Sequence, residues 1–247
     1  MKRLALILAL LPLGLQAQTA DSAEAVVERY LTLMNYDALP QDSMLVLETT
    51  VTFHGSRDTV SLRRWYAAPT MERVEVWHGD TLVNGLCTNG SSRYREYRRR
   101  MDWWEDVPHD LLLDKMNDYD FRGPLYRWRQ HEIKFTYQGI TTAKGQRLNT
   151  VHAEQPGHYT RQYFFEEHSG LLVVIREEDD TTALDETQQI LKQFRVKPID
   201  YKIVHEYLPV GEMLVPTQES YMRDGLLTIM ETKASLVPRD NIIFNQD

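Results

Sequence analysis

From Ser43 onward apolar and polar residues alternate with a period of two, and no other feature of the chain limits its fold as strongly. Leu45, Leu47, Thr49, Val51 and Phe53 alternate with Val46, Glu48, Thr50 and Thr52 before His54-Gly55-Ser56 turns the chain. Val60, Leu62 and Tyr66 mark a second such run, ended by Pro69, and Val74 and Val76 a third. A period of two places successive side chains on opposite faces of a strand, so each run predicts a half-buried β-strand. Asn84-Gly85 and Asn89-Gly90 are hairpin signals, and Ser91–Tyr97 continues the meander. The alternation returns at Ile133/Phe135/Tyr137, Leu148/Thr150/His152, Tyr159/Arg161/Tyr163/Phe165 and Leu171–Ile175, punctuated by Gly139, Lys144-Gly145, Pro156-Gly157 and Ser169-Gly170. Tyr201–Tyr207, Val215–Met222 and Leu226–Lys233 complete about eleven strands.

Helical periodicity is confined to a few places. Asp21-Ser-Ala-Glu24 has capping-box spacing, and Val26, Val27, Tyr30, Leu31 and Met34 share one helical face until Asn35–Pro40 ends the pattern. Near mid-chain, Asp106 and Pro108 can open a second helix carrying Leu111, Leu112 and Met116. Thr181–Val196 fits either a helix or a strand. No repeat, low-complexity tract or linker divides the chain, so one domain is expected. A sheet of this length needs one face covered throughout. Two short helices cannot fill it solidly, which points to a hollow or incompletely filled barrel.

The amino terminus stands apart from this pattern. Lys2-Arg3, an apolar stretch Leu4–Leu15 and Gln16-Ala17 form the layout of a secretory signal, with cleavage after Ala17 or as late as Ala20. The stretch falls short of the roughly 20 residues that cross a bilayer. No cysteine lies at the cut to carry a lipid anchor, so a soluble exported protein spanning 18–247 is expected. Removing Lys2 and Arg3 takes the formal net charge from −8 to −10. An acidic exported chain is unsuited to binding nucleic acid, which starts from phosphate neutralisation by clustered cations. The single Cys87 reads as an inert, half-buried thiol.

No enzyme signature is present. The eight histidines are scattered, without an HExxH pair or Cys/His cluster, and there is no GxSxG, phosphate loop or dinucleotide fingerprint. No catalytic residue, metal site or cofactor is expected. Arg93, Arg95, Arg98, Arg99 and Arg100 interleave with Tyr94, Tyr97 and Trp103. They read as a sheet edge guarded by cations, or as a contact for an acidic partner or lipid phosphate. Of the 25 aromatic residues, those from Phe53 to Trp128 are concentrated in the first half of the sheet and around the central segment. They are more than two small helices can cover, so some are expected to line a cavity for an apolar ligand.

Several segments resemble the LolA-like outer-membrane lipoprotein-sorting proteins. Asp120-Phe-Arg-Gly-Pro-Leu125, followed by the Ile133–Tyr137 strand, is similar to the DFDGPL segment of Bacteroidetes-type members. Tyr163–Leu172, Asp200–Val204 leading to Leu214-Val-Pro216, and the tail Leu236–Phe244 match further stretches. The loop Arg98–Asp106 has no counterpart, and Thr181–Pro198 looks like an extension. The resemblance implies a mainly β fold with a few helices (α+β): an unclosed antiparallel barrel with helices as a lid over an apolar cavity. It further implies a monomeric periplasmic carrier for the acyl chains of lipoproteins or other lipids, with envelope membrane proteins as further partners. A periplasmic sensor or scaffold that binds an envelope protein is the competing expectation. Leu111, Leu112 and Met116 are then candidate lid residues. Leu45, Leu47, Val51, Phe53, Tyr66, Val74, Val76, Trp103 and Trp104 are candidate cavity residues, and Arg93, Arg95, Arg98 and Arg99 candidates for a partner or headgroup. Alternation leaves open which sheet face is inward.

Overall fold

The structure, a computed structural model, describes residues 22–68, 70–90, 94–108, 120–155, 160–178 and 199–245. The leader 1–17, Arg93, the candidate lid residues Leu111, Leu112 and Met116, and the extension 181–198 lie outside the described residues.

Thirteen strands among the described residues form one antiparallel sheet. The first meander is β1 (Ser43–Phe53), β2 (Thr59–Ala67), β3 (Met71–His78), β4 (Thr81–Thr88), β5 (Tyr94–Arg98) and β6 (Trp103–Asp106). The second is β7 (Lys134–Ala143), β8 (Gln146–Glu154), β9 (Thr160–Glu166), β10 (Leu172–Glu178), β11 (Tyr201–Val210), β12 (Met213–Arg223) and β13 (Leu226–Pro238). The last strand returns to the first: β13 pairs with β1 without interruption from Ser43↔Pro238 to Phe53↔Thr228. The strand order runs from β6 at one edge to β7 at the other. β6 and β7 do not pair, so the barrel is not closed. The chain linking the two edges has to travel from one rim to the other, and its described part, 120–133, packs across the inner face of the sheet.

Among the described residues one α-helix, α1 (Ala23–Met34), packs on that face. Ser22 caps it: its Oγ accepts the Ala25 N–H at 3.1 Å. Asn35 ends it in the left-handed conformation (φ 49°) and donates its N–H to Leu31 O at 3.0 Å. Val26, Val27, Tyr30 and Met34 are buried at helical spacing against Val151, Tyr163, Phe165 and Tyr207. Burying each such side chain contributes about 1.5–3 kcal/mol, far more than the cap's ~1 kcal/mol, so packing rather than propensity holds this helix. A second inner cluster joins Leu45, Leu47, Tyr66, Met213 and Val215. The outer face has its own cover, where Phe244 of a terminal 3₁₀ turn (Asn241–Phe244) packs with Met44, Ala67, Met71 and Cys87. Cys87 is fully covered there instead of half-buried, its Sγ 3.5 Å from Phe244 O.

Two local expectations are corrected. Asn84-Gly85 is not a turn but lies inside β4; the turn falls at Gly79-Asp80, and the pairing of β3 with β4 bulges beside Asn84. The glycine serves close approach, since a Cβ at Gly85 would stand 2.5 Å from Cη2 of Trp104. Asp106 does not open a helix but ends β6, where its carboxylate meets Arg95 Nε at 3.2 Å. By contrast Lys144-Gly145, both at positive φ (50° and 81°), form the expected two-residue hairpin between β7 and β8.

Candidate functional site

A cavity of about 420 Å³ lies between the inner face at the β2–β3 end of the sheet, the loop 36–41 after α1, and the segment 120–127. Its geometry starts from a compact turn. Asp120 Oδ1 accepts the Arg122 N–H at 2.9 Å, and Gly123 donates its N–H to Asp120 O at 3.0 Å. Gly123 takes φ +72° with open space around it, so conformation rather than room requires glycine there. The turn sends alternate side chains to different tasks. Leu125 is buried among the residues that pack on α1. The Phe121 ring sits 4.5 Å from that of Tyr66 and 5.2 Å from that of Tyr36, and its N–H donates to Tyr66 Oη at 3.3 Å. Phe121 thus stoppers the gap between helix loop and sheet.

The same turn carries charge into an aromatic setting. The Arg122 guanidinium forms a fork on Asp120, with Nε at 2.8 Å and Nη2 at 2.8 Å from its two oxygens. It also lies 4.4 Å from the centre of the Tyr126 ring. Burial opposes the Arg122 charge, but Asp120 and then Glu72 outweigh it, and its pKa is raised. Tyr126 Oη donates to Asp37. Glu72, the cross-strand neighbour of Tyr66, faces this group and is itself 8% exposed. Its carboxyl is pushed up to about 7, first by burial and then by the charge of Asp120, against the opposing effects of Arg122, the Tyr66 hydrogen bond and Arg127. The Tyr66 hydroxyl is held well above its usual range, mainly by burial and by Glu72. Met213 adds deformable apolar surface to the wall.

The strand register puts Leu45, Leu47, Val51, Phe53, Tyr66, Val74 and Val76 on one face, the inner one. Only Tyr66 of these borders the cavity. Leu45, Leu47 and Val74 are fully buried beneath neighbouring side chains, Val51 and Val76 are half-buried further along, and Phe53 is exposed at the far end. Trp104 points the other way, onto the outer face, with the Arg73 guanidinium 4.8 Å from its ring. Trp103 is 56% exposed on the edge strand. Arg95 is buried on Asp106 and donates to Trp104 O at 3.0 Å, whereas Arg98 bridges Glu96 and Glu105 at 3.1 and 2.6 Å. Arg99 is exposed.

Sequence reasoning missed Glu72, Asp120, Arg122 and Arg127. Glu72 had a signal, being a charge in register with Val74 and Val76 on an apolar face. The Asp-x-Arg spacing before a glycine was the other. Among the described residues no group of three or more His, Cys, Asp or Glu side chains could hold a metal ion. No helix among them is long and apolar enough to cross a membrane.

No family model and no curated protein matches the chain. Solved structures do. A DUF1329 family protein of Desulfovibrio piger superposes with a TM-score of 0.58 at 12% identity, over 92% of this chain and 98% of that one. A LolA superfamily protein of Nitrosomonas europaea gives 0.57 at 9% identity, over 91% and 98%. A proposed outer membrane lipoprotein-sorting domain from Vibrio parahaemolyticus gives 0.54 at 9% identity, over 91% and 96%. With one long antiparallel sheet left open between β6 and β7, a helix on its inner face and near-complete overlap with these structures, the chain has the LolA-like fold.

Proposed function

We propose that this protein is an exported periplasmic carrier that holds the acyl chain of a lipoprotein or another lipid against the inner face of its sheet. The cavity behind Phe121 is the observation that carries this reading. Its volume of about 420 Å³ is that of a small-molecule site, and its wall combines the rings of Tyr36, Tyr66, Phe121 and Tyr126 with the charged groups of Glu72, Asp120 and Arg122. The similarity to a lipoprotein-sorting domain supports the same class of ligand. No catalytic residue is assigned.

Each buried methylene contributes about 0.8 kcal/mol, so a sixteen-carbon chain offers roughly 12 kcal/mol before ordering and desolvation are counted. A carrier has to release its cargo, and protein groups that refill the cavity lower the net gain. Phe121, pivoting on the Asp120–Gly123 turn, is placed to do that, with Leu111, Leu112 and Met116 as the proposed lid. Loading is then an exchange between a self-filled and a lipid-filled state, biased by the ligand's preference for the second. Lipid extraction and mass spectrometry of gently purified protein should reveal a co-purifying acyl species, and a fluorescent acyl probe should bind competitively. Persistent absence of both contradicts the carrier.

A second reading, a module that binds an envelope protein, is favoured by one observation. The β5–β6 edge presents Met101 and Trp103, each 56% exposed, beside exposed Arg99 and Arg100. Crosslinking from Trp103 would capture a specific partner under that reading and none under the first.

A further inference from the structure

One oxygen in the cavity is left without a hydrogen-bond partner among the described residues. This is Glu72 Oε1, which is buried, while the same carboxyl group receives the Tyr66 hydroxyl. The other two acids of the lining are already engaged, Asp120 by Arg122 and Asp37 by Tyr126. Among the described residues the lining sets two cations, Arg122 and Arg127, against these three acids. A buried carboxylate oxygen without a donor is costly, and a ligand that brings the donor recovers that cost on binding.

We propose that this end of the cavity receives an ammonium group at the polar end of the bound amphiphile, with Glu72 Oε1 accepting its N–H. The inference rests on the carrier reading and adds the chemistry of the headgroup. Tyr36, Tyr66 and Phe121 line the same cavity, their rings touching one another at 4.5 and 5.2 Å, and aromatic rings favour a nearby cation. An anion placed there would stand beside both Glu72 and Asp120; of the two guanidiniums, Arg122 is already forked on Asp120 and Arg127 lies 5.9 Å from the centre of the Tyr126 ring. The groups that act on Glu72 are Tyr66 from β2 and Asp120, Arg122 and Arg127 from the segment across it. Since the ammonium requires the ionised carboxylate, its affinity should decline as pH falls through about 7, where Glu72 takes up its proton.

The test is calorimetric titration of the full chain with dodecylammonium, dodecanol and dodecanoate, each kept below its aggregation concentration. Dodecylammonium should bind about tenfold or more tightly than dodecanol, the range expected of a hydrogen bond to a charged acceptor. That advantage should vanish in Glu72→Gln and, in the unaltered chain, on acidification, while dodecanol binding changes little. The pH arm needs no variant, so a misfolded Glu72→Gln leaves the test intact. Tighter binding of dodecanoate, or an ammonium advantage that survives both Glu72→Gln and acid, overturns the inference. Butylammonium binding as well as dodecylammonium also overturns it, because the site would then serve a free amine. Dodecanol binding with no ammonium advantage defeats the headgroup assignment and leaves the carrier standing; no binding by any dodecyl compound defeats both.

Discussion

Phe121→Ala separates the packing of the cavity from its use. The Phe121 ring bridges Tyr66 at 4.5 Å and Tyr36 at 5.2 Å, and the residue as a whole is half-buried. Truncation removes about 100 Å³ of side chain, which at 24 cal/mol per Å³ of unrelaxed cavity amounts to about 2.4 kcal/mol. A fully buried phenylalanine costs about 3–5 kcal/mol on truncation, so partial exposure brings the expectation for Phe121 to about 2 kcal/mol. Two ring–ring contacts lie within that figure, each worth about 0.5–1.5 kcal/mol. Urea unfolding should show the midpoint moving down by about 1 M with an unchanged slope. The same variant should bind a fluorescent acyl probe up to about tenfold more tightly, because the ligand no longer has to displace the ring. An unchanged midpoint would refute the packing. A lowered midpoint with unchanged or weaker probe binding would refute the idea that Phe121 and the ligand compete for one space.

The remaining predictions address the parts that build the site. Gly85→Val forces a side chain to within 2.5 Å of Trp104, and urea unfolding should register about 1–3 kcal/mol of destabilisation unless the edge strand yields. Met34→Ala, at a fully buried helix position, should cost about 2–5 kcal/mol and loosen α1, read as faster amide exchange along the helix. Gly123→Ala imposes a left-handed conformation on a residue with a Cβ and should cost about 1–2 kcal/mol with no steric contribution. Glu72 has a folded pKa near 7 against an ordinary 4.5, so the folded state holds the proton more tightly. Its contribution is therefore complete below about 4.5 and is lost as pH rises to about 7, by about 2–3 kcal/mol. Glu72→Gln should remove that slope and leave the variant more stable than the parent at alkaline pH, as followed by thermal unfolding across pH.

The sheet was largely legible because its evidence is local. In Ser43–Phe53 the residues Leu45, Leu47, Val51 and Phe53 recur at even spacing, and the strand has those bounds. Sequence could not orient it, since Val46 and Leu47 are equally apolar; only the register with β13 and β2 shows that Leu47 faces α1's side and Met44 the terminal 3₁₀ turn. Trp104 was misplaced for the same reason. Two adjacent tryptophans in a short strand point to opposite faces, and the outward one is recognisable only through Gly85 beneath it. The charged end of the cavity was less visible still. Asp120 and Arg122 stand out only as part of a family-like segment, and Glu72 not at all, until the chain crossing from β6 to β7 sets them against each other. Contacts between residues about fifty positions apart leave no period in the sequence.

The central claim is that an acyl chain occupies the space behind Phe121. Its most direct test is photolabelling of the full protein with a diazirine-bearing fatty acid, followed by peptide mass spectrometry. Labels concentrated on Tyr66, Phe121 and Met213, and suppressed by unlabelled fatty acid, are the predicted result. Labels scattered over the exposed edge around Met101 and Trp103, with none on the cavity wall, would contradict it.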